Sequence, residues 1–367
     1  MPTSTNTATA EHRAVATRTA GRFRKFAELV TTPLLPEDFL DLVSPLSSGA
    51  DLRGRIEAIH AETCDAVTVR IRPGRRWRTP AAGQYVRIGV DVDGVRQWRS
   101  YSLTTPTSAD GCFTVTVKAV PAGKVSNHLV SRARVGTVVQ LDRPAGDFVL
   151  PTPRPDKVLF VTAGSGITPV MGMLRESLHE LADVVLVHSA PTADDTIFGA
   201  ELRTLAADGR LRLIERHTRT EDRLTTDTLT ALVPDLAQRQ TFACGPAALL
   251  DALEEHYAGV GIADRLHTER FQAAVIATGC GGTVTFGRSD ITADTDGATS
   301  LLDAGESAGV LMPSGCRMGV CFGCVVPLRQ GGVRDLRNGD LTTASPGDGV
   351  LVQTCISAAA GPCELDV

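Results

Sequence analysis

The stretch Pro313–Cys324 reads P-S-G-C-R-M-G-V-C-F-G-C, which sets Cys316, Cys321 and Cys324 in a C-x4-C-x2-C array. Cys355 follows after thirty intervening residues. Four thiolates at this plant-type spacing can hold the two irons of a [2Fe–2S] cluster. Three ligands on one short loop must converge on a compact inorganic core, so the chain has to curl tightly around it. Gly315, Gly319 and Gly323 permit that close approach and leave backbone N–H groups to face the sulfurs. The fourth ligand is expected from a separate strand. A zinc site or a set of inert buried cysteines is the competing reading. Zinc sites usually pair two C-x2-C knuckles, and only one such pair stands in this loop.

Other residues could serve a second kind of chemistry. Arg99-Ser100-Tyr101-Ser102 forms R-x-Y-S, and Gly123–Leu129 forms G-x-V-S-x-x-L. A Gly-rich turn, Ala163-Gly164-Ser165-Gly166-Ile167-Thr168-Pro169, follows the apolar run Lys157–Thr162. Such a turn between a strand and a helix seats a pyrophosphate on free N–H groups at the helix's positive end. G-S-G-I-T-P departs from G-x-G-x-x-G, so a merely tight turn is the alternative. R-x-Y-S alone fits an edge strand with a solvent-facing Arg and a core Tyr equally well.

The surrounding chain must position these groups. At 367 residues it is long enough for two or three domains. Hydrophobic residues make up 43%, an ordinary content for globular cores. The nine cysteines form no secreted-type framework, which favours a reducing, cytoplasmic setting. A net charge of −5 argues against general nucleic-acid binding. No stretch has the length of a membrane span, and the N-terminus lacks the apolar core of a signal peptide.

Residues 1–20 are small and polar and are expected to be disordered. Residues 21–50 carry apolar positions at helical spacing (Phe23, Phe26, Leu29, Val30) and form an expected helical extension. It either packs on the next domain or docks a partner or membrane surface, since Arg22, Arg24 and Lys25 flank the apolar residues. Residues 51–152 alternate as short strands between Gly, Pro and Asp turns, the pattern of an antiparallel β-barrel. Residues 153–272 alternate strands with helices, which implies a parallel, doubly wound α/β sheet. Strands are expected at Val184–His188, Leu211–Glu215 and Thr241–Ala243. Residues 275–367 hold a hairpin, a helical stretch after Ser300, the cysteine loop, and strands at Val325–Leu328 and Leu351–Cys355, an α+β domain.

In this order the motifs resemble one family: flavin-dependent ferredoxin–NADP reductase-like oxidoreductases with a fused C-terminal plant-type ferredoxin of β-grasp type. Cys244-Gly245-Pro246 joins the match. The resemblance implies FAD, a [2Fe–2S] cluster and NADPH or NADH. Arg99 would then bind the flavin pyrophosphate, Tyr101 would stack on the isoalloxazine, and Ser102 would hydrogen-bond near N5. Gly123, Val125 and Ser126 would bracket the flavin phosphates. Each role suits its residue, since Arg pairs with phosphate and Tyr offers a flat apolar face. Gly164, Gly166, Thr168 and Pro169 would hold the dinucleotide. Cys244 and Gly245 would lie by the nicotinamide, with Cys244 there for packing. Glu269 would face the flavin–nicotinamide stack or else be a surface carboxylate.

Two departures stand out. The family's flavin-covering C-terminal aromatic is displaced, because a whole domain follows Phe271. The chain also has Ser189-Ala190-Pro191 where many members carry a basic residue, leaving Arg219 and Arg223 (with Arg216) as candidates for a 2′-phosphate. The implied activity is oxidation of a nicotinamide dinucleotide with release of single electrons through the cluster. The expected acceptor is an oxygenase, most specifically an acyl-CoA desaturase or other membrane di-iron hydroxylase, with peripheral contact to that partner. A soluble aromatic-ring oxygenase or a haem monooxygenase is the alternative. A non-catalytic redox sensor is a reading of a different class.

Overall fold

The computed structural model describes Leu46 and residues 52–367, apart from 93, 106, 107, 109, 122, 272–277, 316, 318 and 320. The expected disordered start and helical extension therefore fall outside the described residues, Leu46 excepted, and so does Cys316.

The first unit is a closed antiparallel barrel. Its strands are β1 (Arg53–Thr63), β2 (Ala66–Pro73), β3 (Tyr85–Val92), β4 (Val95–Thr105), β5 (Phe113–Lys118) and β6 (Val138–Leu141), in spatial order β1-β2-β5-β4-β3-β6. Closure comes from β6 pairing with β1, Arg53 opposite Gln140. Alternation does the work expected of period-two strands: Val67, Val69 and Ile71 face the same core as Val86, Ile88 and Val90. Helix α1 (Lys124–Ser131) covers one mouth and plugs Val125 and Leu129 into that core.

The second unit is a five-stranded parallel sheet. Strands β7 (Lys157–Ala163), β8 (Asp183–Ala190), β9 (Arg212–His217), β10 (Gln240–Cys244) and β11 (Leu266–Glu269) lie in the order β11-β10-β7-β8-β9. Helices α2 (Ile167–Ser177), α3 (Gly199–Ala207), α4 (Thr226–Leu232) and α5 (Ala247–Gly259) connect them. The near-continuous apolar runs of β7 and β8 follow from burial on both faces: Val158 and Phe160 enter one core, Leu159 and Val161 the other. The chain winds from β7 to β9 on one side, then returns to β10 beside β7. The crevice between β7 and β10 is thus the topological switch point, where open parallel sheets bind ligands.

Barrel and sheet are joined by close backbone packing. A Cβ at Gly172, on α2, would collide with the Leu103 carbonyl oxygen of β4. Arg175, one turn further along α2, donates from Nη1 to the Thr104 carbonyl at 3.1 Å.

The third unit contains β12 (Gly282–Phe286), β13 (Ile291–Thr295), helix α6 (Leu301–Ser307), β14 (Val325–Asp335), β15 (Leu341–Ala344), β16 (Leu351–Gln353) and β17 (Ser357–Leu365). The sheet runs β13-β12-β17-β14-β15, with β16 on β14. Ser300 caps α6 by accepting from the Asp303 N–H, as N-cap serines do, and Leu301 and Leu302 pack on the sheet. Among the described residues no helix is long and apolar enough to cross a membrane.

Candidate functional site

A cavity of about 570 Å³ opens where the three units meet, within the size range of small-molecule sites. Its wall takes Arg99, Tyr101 and Ser102 from β4, Gly164 and Gly166 from the turn after β7, Thr168 from the start of α2, and Arg317 from the cysteine loop. Gly123, Val125, Ser126, Gly245 and Glu269 line it too. Residues separated by more than two hundred positions thus share one space.

The β4 side has the character of an anion and ring site. Arg99 donates from Nη1 to the Trp98 carbonyl at 2.7 Å. Among the described residues no carboxylate comes within ion-pair distance of it. Burial, with a further push from Arg317, lowers its pKa. A desolvated guanidinium without a carboxylate is costly unless an anion joins it, which suits the pyrophosphate assignment. The Ser102 and Ser100 hydroxyls are buried without a partner. Burial pushes the Tyr101 hydroxyl above its ordinary range, so it stays protonated. Ser126 is partly committed elsewhere: its Oγ accepts from the Val120 N–H at 3.3 Å and donates to the Gly123 carbonyl at 3.4 Å.

The dinucleotide side is built by the switch point. At Gly166 a Cβ would collide with the Cys244 carbonyl oxygen, so only glycine lets the turn after β7 close on β10. Thr168 donates from Oγ1 to the Ser165 carbonyl at 2.9 Å and holds the turn's shape. Cys244 and Pro169 are buried and do not line the cavity. Burial, with Glu269 nearby, raises the Cys244 thiol well above its usual range. That burial suits the packing role the resemblance implies for it. Arg219 and Arg223 lie on the exposed loop after β9, outside the cavity. The Thr218 and Arg219 N–H groups donate to the Ala190 and Pro191 carbonyls at 3.0 and 3.1 Å. That loop therefore crosses the end of β8, beside Ser189-Ala190-Pro191.

Glu269 ends β11 opposite Cys244 and lines the cavity. Its Oε2 is buried without a partner, and burial pushes its carboxyl up to about 8. Phe271 corrects an expectation. Although a whole domain follows it, it remains at the cavity wall, because the chain leaves β11 only two residues earlier.

The cysteine loop brings Cys324 against Cys355 and sets Cys321 among the glycines of the same loop. The Cys324 and Cys355 sulfurs are 3.2 Å apart, and the Gly323 N–H points at Cys321 Sγ at 3.4 Å. A Cβ at Gly315 would collide with Cys321 Sγ. Contact with Cys355 lowers the Cys324 thiol below its usual range, in the direction of the thiolate that a metal ligand must be. Cys355 sits in the turn after β16, one correction to the expected strand. A turn suits the ligand, because it frees the side chain from the fixed alternation of a strand's two faces and lets it reach Cys324. Two sulfurs in contact, a third on a glycine-lined wrap and an N–H aimed at that third sulfur fit a [2Fe–2S] cluster.

Sequence reasoning missed Arg317, Tyr85 and Lys118 in the cavity wall. Arg317 stands inside the cysteine loop, yet nothing local says that it faces a second domain. Asp303 bonds its Nη1 at 2.8 Å and Glu306 its Nη2.

Comparison with known proteins agrees with this layout. Three family models match in order: an oxidoreductase FAD-binding domain over residues 77–150, an oxidoreductase NAD-binding domain over 160–255, and a 2Fe-2S iron-sulfur cluster binding domain over 284–360. A protein of Mycobacterium tuberculosis described as an NADPH oxidoreductase is 51% identical over 352 residues, covering 94% of this chain and 92% of the relative. The chain belongs to the flavin and [2Fe–2S] reductases of the ferredoxin–NADP reductase type. As such a reductase it uses FAD, a nicotinamide dinucleotide and a [2Fe–2S] cluster. The glycine betaine monooxygenase reductase subunit of Pseudomonas aeruginosa is 30% identical, with 74% of this chain and 83% of that one covered. The solved phthalate dioxygenase reductase shares the fold of this reductase, with a TM-score of 0.60 at 22% identity over 87% of this chain and 98% of that one.

Proposed function

We propose that this reductase takes electrons from NADPH or NADH and delivers them singly to a separate oxygen-activating enzyme. The observation that carries the reading is the shared cavity, whose wall draws residues from flavin, nucleotide and cluster domains at once. When bound, the flavin accepts a hydride from the nicotinamide and yields electrons one at a time, a chemistry that belongs to the cofactors.

The chain's own residues bind, orient and exclude water. Arg99 would hold the flavin pyrophosphate through charge-assisted bonds. Tyr101 would present its ring to the flavin, and the unpartnered Ser102 hydroxyl would meet the flavin's polar edge. The turn at Gly164–Gly166 and Gly245 would seat the dinucleotide. Glu269, kept protonated near neutral pH by burial, would offer a donor beside the reacting rings. Cys316, Cys321, Cys324 and Cys355 would ligate the cluster, and Arg219 or Arg223 would receive a 2′-phosphate where NADPH is used.

For the acceptor, relatives are reductase components of a glycine betaine monooxygenase and, at 31% identity, of a 3-ketosteroid-9-alpha-monooxygenase from Mycolicibacterium smegmatis. An oxygenase acceptor is the class these names support. Within it, the segment L-L-P-E-D-F-L-D-L-V suggests a membrane di-iron enzyme such as an acyl-CoA desaturase, although that segment lies outside the described residues. Purified reductase should oxidise NADPH or NADH with cytochrome c as acceptor, and should support turnover of an added desaturase or of a ring-hydroxylating oxygenase. Failure to turn over any acceptor while flavin and cluster are both bound would leave the sensor reading standing.

A further inference from the structure

Arg87 belongs to the flavin barrel, yet one corner of its guanidinium abuts the cysteine loop of the third domain. On β3 it is opposite Ser100. Its Nη1 donates to Asp142 at 3.0 Å, and its Cζ sits 5.2 Å from the Trp98 ring centroid, a cation–π distance. These barrel contacts fix the head from two sides and leave Nη2 facing outward. Cβ atoms placed on Gly315 and Gly323 would fall 3.1 and 3.4 Å from that Nη2. The same atoms would collide with Cys321 Sγ from Gly315 and approach it to 3.4 Å from Gly323. Guanidinium and sulfur therefore border the same small space, and a side chain at either glycine would separate them. Arg87 is only 17% exposed, whereas its partner Asp142 is 48% exposed and better screened by water. Its Nε is buried without a partner.

We propose that Arg87 is a positioning residue that tunes the cluster's reduction potential across the domain boundary. The inference rests on the reading that Cys321 is a cluster ligand. One electron leaves the flavin and one enters the cluster, which then carries one more negative charge. A cation buried at the loop favours that state more than the oxidised one, because partial burial weakens screening. The charge comes from the donor's own domain, so the acceptor becomes a better acceptor when the two domains are docked. Asp142 opposes the effect from the exposed side, and Arg317 on the loop is neutralised by Asp303 and Glu306.

The test is a redox titration of the flavin- and cluster-loaded protein, followed by the cluster's EPR signal and the flavin's absorbance. Arg87→Gln should weaken the preference for the reduced cluster about tenfold, a fall of about 59 mV for a one-electron couple, with the flavin midpoint unmoved. Arg87→Lys should restore most of the shift. Asp142→Asn, which leaves the Arg87 charge unopposed, should move the cluster midpoint the other way and serves if Arg87→Gln loses its cofactors. A normal EPR signal with the parent midpoint in both Arg87→Gln and Asp142→Asn overturns the proposal. A parent protein with bound flavin but no cluster signal overturns the underlying ligand reading instead.

Discussion

The flavin barrel meets its two neighbours by different physical means. Against the nucleotide domain it uses backbone: Gly172 rides on the Leu103 carbonyl, and Arg175 bonds the Thr104 carbonyl. Against the ferredoxin domain charged side chains take part, with Arg87 at the cysteine loop and Arg317 reaching the cavity that holds Arg99. The contrast matches what each junction must transmit. A hydride moves only between near-touching atoms, so sub-ångström placement matters. Single electrons tolerate a looser approach, and their direction is set by potentials that charges can adjust.

The largest expected effect comes from removing the electron exit while sparing the rigid half. Cys321→Ser should abolish the cluster and bring cytochrome c reduction to background, with flavin content and ferricyanide reduction retained. Loss of both activities together would show that the third domain is needed to build the flavin site, and the contrast between the junctions would fail.

The rigid junction is tested at Gly172. An added methyl meets a main-chain oxygen that cannot swing aside, so Gly172→Ala should destabilise by about 1–3 kcal/mol, the usual range for overpacking. It should also slow flavin reduction by the nicotinamide in stopped flow, while the cluster midpoint stays put. An unchanged thermal midpoint would mean that the α2–β4 contact is looser than its geometry.

A subtler probe lies in the wall between these junctions. Burial raises the Glu269 carboxyl from its ordinary 4.5 to about 8. The folded state then holds a proton that the unfolded chain releases across that window. Stability should fall as pH rises from about 5 to 8, seen as an earlier flavin release on heating. Glu269→Gln should flatten this slope. Parallel slopes in parent and variant would place the titration elsewhere.

What the sequence made legible follows the same division. The cysteine array and the turn after β7 could be read because their chemistry is local: ligand spacing and a glycine-rich strand–helix junction carry their meaning within a few residues. The parallel sheet was readable from its long apolar runs, which only two-sided burial explains. Arg87 and Arg317 were not readable as partners. An arginine on a barrel strand looks like any solvated charge until the fold brings a loop more than two hundred residues away against it. Phe271 misled for a related reason, since the following domain suggested displacement while two residues after β11 keep it in the wall.

The smallest effect should be the response of the charged junction to salt. Residues 61–152 hold 13 Lys and Arg against 7 Asp and Glu, whereas residues 275–367 hold 5 against 10. Opposite signs on the two domains favour encounter and register more than affinity. Arg87 is largely buried and should keep most of its influence, but the rest of each field lies in water. The screening length shrinks from about 10 Å at 0.1 M to about 3 Å at 1 M ionic strength, shorter than the reach of an exposed arginine across an interface. Electron transfer from flavin to cluster, followed after rapid reduction, should therefore slow modestly as salt rises. Reduction of the flavin by the nicotinamide, which depends on the glycine-packed junction, should stay nearly constant. If both steps respond alike, charge is not what distinguishes the two junctions, and covalent tethering between Phe271 and Gly279 would have to hold the cluster domain in place.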